Sequence, residues 1–160
     1  MGTGTHADAR TAAAIDRLWR SEGQKLWRAV LAFSHDRALT DDAVAEAFAQ
    51  CLARGEAVRE PAAWIRRAAF RIAAGQLQER HRWAPLEREP AEEMPEPPDR
   101  LMRALRRLPP QQRASIVLKG YVGCSTEEVA EILGTGRATV RVHLSRGRRR
   151  LRELLEDDDG

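Results

Sequence analysis

The sequence predicts an all-α protein built as two small helical domains joined by an acidic, proline-rich linker. Three observations carry this reading. Apolar residues recur at helical spacing through both halves, and no segment sustains the alternation or the Asn-Gly and Asp-Gly turns of a β-hairpin. Residues 84–98 hold five of the eight prolines together with five glutamates. Proline at that density breaks regular structure, and like charges keep a chain extended. The charge is also uneven: residues 101–153 carry 12 basic and 4 acidic groups, although the whole chain of 160 residues nets only +3. The expected division is a tail at 1–9, a helical domain at 10–83, the linker at 84–98, a second helical domain at 99–155 and an acidic tail at 156–160. Each domain is then of a size that is marginal alone.

The elements follow in order. A first helix is predicted from about Arg10 to Phe33, with Ile15, Leu18, Trp19, Leu26, Trp27, Val30 and Leu31 inward and Gly23 as a weak point. Thr40 reads as the N-cap of a second helix, with Asp41 and Asp42 suited to its positive end. Val44, Ala47, Phe48, Cys51 and Leu52 form its inner face. Pro61 fits the first turn of a third helix, whose inner face takes Trp64, Ile65, Ala68, Ala69, Ile72 and Leu77. Beyond the linker, Asp99 can cap a short helix with Leu101, Leu105 and Leu108 inward. Pro109-Pro110 ends it and starts the next, which carries Ile116, Val117, Leu118 and Tyr121; Gly123 allows a tight turn. Ser125-Thr-Glu-Glu128 is a capping box ahead of the apolar run Val129, Ala130, Ile132 and Leu133. Gly134 closes that helix, and a last one runs from near Gly136 to about Leu155 on Val140, Leu144, Leu151 and Leu155.

Ala130, Gly134 and Val140 stand where a helix-turn-helix needs a small residue, a left-handed turn and an apolar anchor. The second of these helices exposes Arg137, Thr139, Arg141, His143, Ser145, Arg146, Arg148, Arg149 and Arg150, a face suited to the DNA major groove. Of the 27 basic residues only Lys25 and Lys119 are lysine, and arginine is the better reader of phosphate and base edges.

Several classes are not expected. No run approaches the roughly 20 apolar residues of a membrane helix, and Met1–Ala14 lacks the apolar segment of a secretion signal. Cys51 and Cys124 lie in no CxxC or Cys/His cluster, so they read as reduced packing thiols in a cytoplasmic protein. His6, His35 and His81 are scattered, and Asp157–Asp159 reads as a solvated tail. There is no glycine-rich phosphate loop, metal spacing or nucleophile elbow, so neither an enzyme nor a bound cofactor is expected.

The stretch Leu105–Arg113, Val117-Leu118, Tyr121, Gly123–Gly134 and Thr139–Gly147 resembles region 4 of the sigma-70 family. The two-domain layout resembles its extracytoplasmic-function (ECF) group. Thr40–Phe48 is similar to region 2.2 and Trp64–Ile72 to region 2.3. The resemblance implies a promoter-recognition subunit that binds core RNA polymerase through the β′ clamp helices and the β flap. It also implies promoter DNA as a partner, an anti-sigma factor, and a monomer when free. Carried over by position, it places Arg141, Val142, Ser145 and Arg146 on −35 base edges, with Arg137, Thr139 and Arg149 on phosphates. It places Trp64, Arg66, Arg67, Arg71, Arg80 and Arg82 on the −10 strand, and Asp41, Asp42, Glu46 and Phe48 on the clamp helices. Phe48 and Trp64 each also fit a core position. The chain departs from the family at Ala45, Arg71 and Gly75, where Gln, Asn and Asp are common. Two other readings stay open: a stand-alone helix-turn-helix regulator, and a sigma-like decoy or adaptor that binds polymerase without melting DNA.

Overall fold

The computed structural model describes residues 3–83 and 100–159, apart from the side chains of residues 3–5 and 80–83. The expected linker at 84–98 and the Asp99 cap lie outside the described residues. Every described element is helical: α1 Thr3–Ser34, α2 Arg37–Arg54, a 3-10 turn Gly55–Ala57, α3 Pro61–Trp83, α4 Arg100–Arg106, α5 Pro110–Ile116, a π-helical segment Val117–Val122, α6 Thr126–Leu133 and α7 Arg137–Asp157. The chain divides into two compact units, Met1–Gln78 and Glu79–Gly160. None of the described helices is long and apolar enough to cross a membrane.

In the first unit, α1 packs along α2. Its core gathers Ile15, Leu26, Val30, Phe33, Leu39, Val44, Phe48, Ile65 and Phe70. Phe33 and Phe70 meet edge to face at 5.4 Å, a favoured aromatic geometry. α1 starts at Thr3, so residues 3–9, expected as a tail, are helical. An alanine-rich stretch with no proline has little reason to stop a helix there. The N-cap of α2 is Asp36, not Thr40: its carboxylate accepts the Leu39 N–H at 2.8 Å. Thr40 is buried one turn inside, donating its hydroxyl to the Asp36 carbonyl at 2.7 Å and sharing a hydrogen bond with Ser34 Oγ at 2.9 Å. Its side chain thus satisfies a backbone acceptor already inside the helix, a role that cap statistics do not distinguish. Trp19 and Leu52, expected inward, are 50% and 51% exposed. α3 begins at Pro61, as its missing N–H allows.

In the second unit, α7 packs on α4, α5 and α6. Leu105, Leu108, Val117, Leu118, Val129, Ile132, Val140, Leu144 and Leu154 are buried, whereas Leu101, expected inward, is exposed. At the end of α7 the fully covered residue is Leu154, with Leu151 and Leu155 half-buried beside it. Pro110 occupies the first turn of α5. What the sequence predicts as one helix through Tyr121 changes at Val117 into a π-helical turn, which ends at Gly123 with φ 82°. Arg113 is buried and donates from Nη1 to the carbonyls of Leu108 at 3.2 Å and Arg106 at 3.4 Å, covering the end of α4. Arg100 donates to the Leu155 carbonyl and pairs with Asp159 at 3.0 Å, which ties α4 to the end of α7. α7 runs to Asp157, so the acidic tail begins inside the helix.

Candidate nucleic-acid interface

The α6–turn–α7 geometry is fixed by local chemistry. Ser125 Oγ accepts the Glu128 N–H at 3.1 Å, and Glu128 Oε1 accepts the Ser125 N–H at 3.2 Å, a complete capping box. Gly134 ends α6 at φ 66°, ψ 38°, a conformation that carries no penalty without a Cβ. Thr135 N–H reaches back to the Ala130 carbonyl at 3.0 Å. Gly136 then caps α7, and Ala130, Val140 and Leu144 are buried between the helices. The short α6 and the long α7 are therefore held at a set angle by one cap, one glycine and three apolar side chains.

All seven expected −35 residues, Arg137, Thr139, Arg141, Val142, Ser145, Arg146 and Arg149, lie on α7 and are exposed. At 3.6 residues per turn they occupy the side away from Val140, Leu144, Gly147 and Leu154. Among the described residues no carboxylate pairs with Arg137, Arg141, Arg146 or Arg149; the one ion pair within this helix joins Arg150 to Glu153 at 3.2 Å. A row of unneutralised guanidiniums repels itself and gains most from a polyanion that releases counterions. Along one flank of the helix, Lys119, Thr126, Arg141, Ser145, Arg148 and Arg152 line an open groove of about 370 Å³ with no acidic residue in its wall. Arg152 continues the basic face of α7, whereas Lys119 and Thr126 lie outside the pattern that the sequence shows. They come from other elements, and nothing in their own sequence neighbourhood marks them.

The first unit carries a second basic surface. Trp64, Arg67 and Arg71 recur at three- and four-residue steps on one side of α3. The Arg54 guanidinium sits over the Trp64 ring, 5.3 Å from its centroid. Trp64 and Arg67 join Arg54, Val58, Arg59 and Glu60 in lining an open groove of about 550 Å³. The turn Gly55–Ala57 and the extended residue Val58 shape its far wall, and the Trp64 N–H closes the start of α3 onto the Glu60 carbonyl at 3.0 Å. Arg66 points elsewhere: its Nη1 lies 3.4 Å from Glu22 Oε2 on α1. The side chains of Arg80 and Arg82 lie outside the described residues.

The four residues expected to dock on polymerase sit in different settings. Asp42 is exposed. Asp41 accepts the Trp27 Nε1–H at 2.6 Å, and Glu46 accepts from Gln50 Nε2 at 2.9 Å. Phe48 is 8% exposed and lies under Trp19, ring centroids 4.9 Å apart. The large apolar side chains that α1 and α2 leave exposed are Trp19 and Leu52. Cys51 is buried, and that burial raises its thiol pKa, so it is a poor nucleophile or metal ligand. Among the described residues no group of three or more His, Cys, Asp or Glu is placed to hold a metal ion.

Fold and surface together define a two-unit helical protein that presents a basic recognition helix on a helix-turn-helix. Residues 99–151 match the family described as Sigma-70, region 4. The ECF RNA polymerase sigma factor SigM of Mycobacterium tuberculosis is 31% identical over 156 residues, covering 89% of this chain and 77% of that protein. The chain belongs to the ECF sigma factors of the sigma-70 family. The RNA polymerase sigma-E factor of Streptomyces antibioticus is 46% identical over 59 residues, and the matched stretch spans 33% of its length. In fold, the chain is similar to the sigma factor RpoE of Bartonella quintana, solved in complex with the anti-sigma factor NepR. The TM-score is 0.59 at 23% identity, covering 88% of this chain and 96% of that one.

Proposed function

We propose that this chain binds core RNA polymerase and directs it to specific promoters, acting through contacts rather than through chemistry of its own. The observation that carries the reading is the exposed, unneutralised arginine face of α7, held by a capped turn on a buried apolar anchor. Arg141, Val142, Ser145 and Arg146 read base edges of a −35 duplex, while Arg137, Thr139 and Arg149 hold phosphates. In the first unit, the Trp64 groove takes the unpaired −10 strand by aromatic stacking with cations along the backbone. Arg67 and Arg71 share that side of α3; Arg66, paired with Glu22, contributes through the position of the helix. Asp41, Asp42 and Glu46 meet basic side chains of the polymerase clamp, and buried Phe48 supports that surface from beneath. The acidic segment 84–98 suits a positively charged path on the enzyme. An anti-sigma factor that competes for these surfaces keeps the free protein inactive in the cytoplasm.

Reconstitution of the full chain with core polymerase on a promoter library, followed by sequencing of the transcripts, tests this. Transcripts that start downstream of one shared pair of elements support it. Polymerase binding without transcripts would make the protein a decoy, and sequence-specific DNA binding without polymerase a stand-alone regulator.

A further inference from the structure

Trp27 and Asp41 meet across the first two helices of the first unit. Trp27 stands half-buried on α1, and Asp41 is exposed on α2. The Trp27 Nε1–H donates to Asp41 Oδ1 at 2.6 Å. That is shorter than a typical N–H···O contact, in keeping with an ionised acceptor. An indole has one donor and no acceptor, so this bond uses the whole polar capacity of the ring. The carboxylate keeps its negative charge and leaves Oδ2 for a second donor. Among the described residues no ion pair engages Asp41 or its neighbour Asp42, and Asp42 makes no side-chain hydrogen bond. The two carboxylates therefore differ in freedom. Nothing holds the Asp42 rotamer, so a basic partner must arrest it in order to pair with it. Asp41 is already arrested, because the ring that holds it is fixed in turn: α1 packs along α2, and Leu26 and Val30 beside Trp27 are buried.

We infer that Trp27 is a positioning residue for polymerase docking: it aims the Asp41 carboxylate at a basic side chain of the enzyme without touching the enzyme itself. The inference rests on the proposal that Asp41 docks on polymerase, and it adds what prepares that carboxylate before the encounter. It gives a polar task to a residue whose spacing in the sequence marks only an apolar face. A plain staple between α1 and α2 would use the same hydrogen bond for stability alone. The two roles separate in the kinetics of association. Long-range steering depends on charge, which Trp27 does not carry, whereas the lifetime of the complex depends on how well its ion pairs are held.

The test measures association and dissociation of the full chain with core polymerase for Trp27→Phe, Asp41→Ala and the double variant, with a thermal melt of each. Trp27→Phe keeps an aromatic ring and the net charge but removes the donor. It should speed dissociation about three- to tenfold, the cost of ordering one freed side chain, and leave the association rate unchanged. Asp41→Ala should weaken binding, and adding Trp27→Phe to it should change dissociation no further. Asp41→Glu tests the same point without altering the ring: it keeps the charge, moves the carboxylate out by one carbon, and should also shorten the complex's lifetime. Wild-type dissociation in Trp27→Phe or in Asp41→Glu, or an equal acceleration by Trp27→Phe with and without Asp41, would overturn the inference and leave docking by Asp41 intact. Unchanged polymerase affinity in Asp41→Ala would instead remove Asp41 from the docking surface, and this inference with it.

Discussion

Arg146 and Arg149, three positions apart on the exposed side of α7, are expected to fail in different ways when removed. A guanidinium on a guanine edge discriminates between bases by about 1–3 kcal/mol, whereas one on phosphate adds affinity that salt screens. Arg146→Ala should therefore flatten the base preference at one −35 position. Arg149→Ala should weaken all duplexes alike and reduce the slope of log affinity against log salt by about 1. Identical base profiles for the two variants in a binding screen over mutated −35 sites would defeat this division. Arg113 is a different kind of arginine. Burial, and then the nearby charge of Arg106, lower its pKa to about 10. Its burial is offset by the hydrogen bonds that it donates to the Arg106 and Leu108 carbonyls, which end α4. Arg113→Met should leave those acceptors unpaired and destabilise by about 1–3 kcal/mol in urea melts. The sign of the pH effect follows from the lowered pKa. Above about pH 10 the unfolded chain holds the proton more tightly, so the cost of the buried charge lifts as pH rises from there toward the ordinary arginine range. Below pH 9 both states are protonated, and the difference between variant and wild type should stay flat from pH 6 to 9; a difference that varied over that range would contradict the assignment.

Among the elements, α7 comes close to α5 at Gly147. A Cβ built there would come within 2.7 Å of Ile116 Cδ1 and 3.2 Å of Gln112 Cβ, both on α5. Alanine would gain up to ~1 kcal/mol of helix propensity but overpack the contact, which typically costs about 1–3 kcal/mol. The expected net is a destabilisation of about 1 kcal/mol in denaturant melts. Ile116→Val removes the closest atom, so the double variant should be more stable than the two single changes summed. Strict additivity would show that the crowding is absorbed elsewhere. The Gly147 contact also marks where the sequence stops being informative. Ser125, Gly134, Pro61 and Pro110 were legible because caps and turns depend on chemistry within four residues. Asp36 and Thr40 are both good capping residues, and what distinguishes them is the Asp36 carboxylate on the Leu39 N–H and the part-buried Ser34–Thr40 hydrogen bond, neither of which the sequence shows. Trp19, Leu52 and Leu101 were assigned inward because periodicity gives a helix a face without saying how much of it a neighbour covers. Phe70, fully buried against Phe33, stands among smaller residues whose spacing does not single it out. The same holds at the surface. The arginines of α7 form a pattern on one helix and could be read, but Arg54, Arg59 and Glu60 are ordinary charged residues until the chain turn sets them around Trp64.

On the scale of the whole molecule, each compact unit has a core of its own, and the segment expected to join them is rich in proline and glutamate. That organisation predicts that a core defect in one unit leaves the other folded. Phe70 is the largest fully buried side chain of the first unit, and its truncation to alanine should cost about 3–5 kcal/mol. A unit of fewer than 80 residues has a stability of the same order, so the change should open it. The second unit keeps Leu118, Val129, Val140 and Leu154 covered by its own helices. Hydrogen exchange on the full-length Phe70→Ala chain should therefore show amides of α1–α3 losing protection while those of α5–α7 retain it. Duplex −35 binding should survive, because the arginine face proposed to carry it is built from the second unit alone. Transcription with core polymerase should be lost, because the proposed strand capture and clamp docking belong to the unit that opens. Loss of protection in both units together would mean that they fold as one cooperative body. Promoter reading and polymerase docking would then be coupled through stability, and truncating the core of either unit would abolish both.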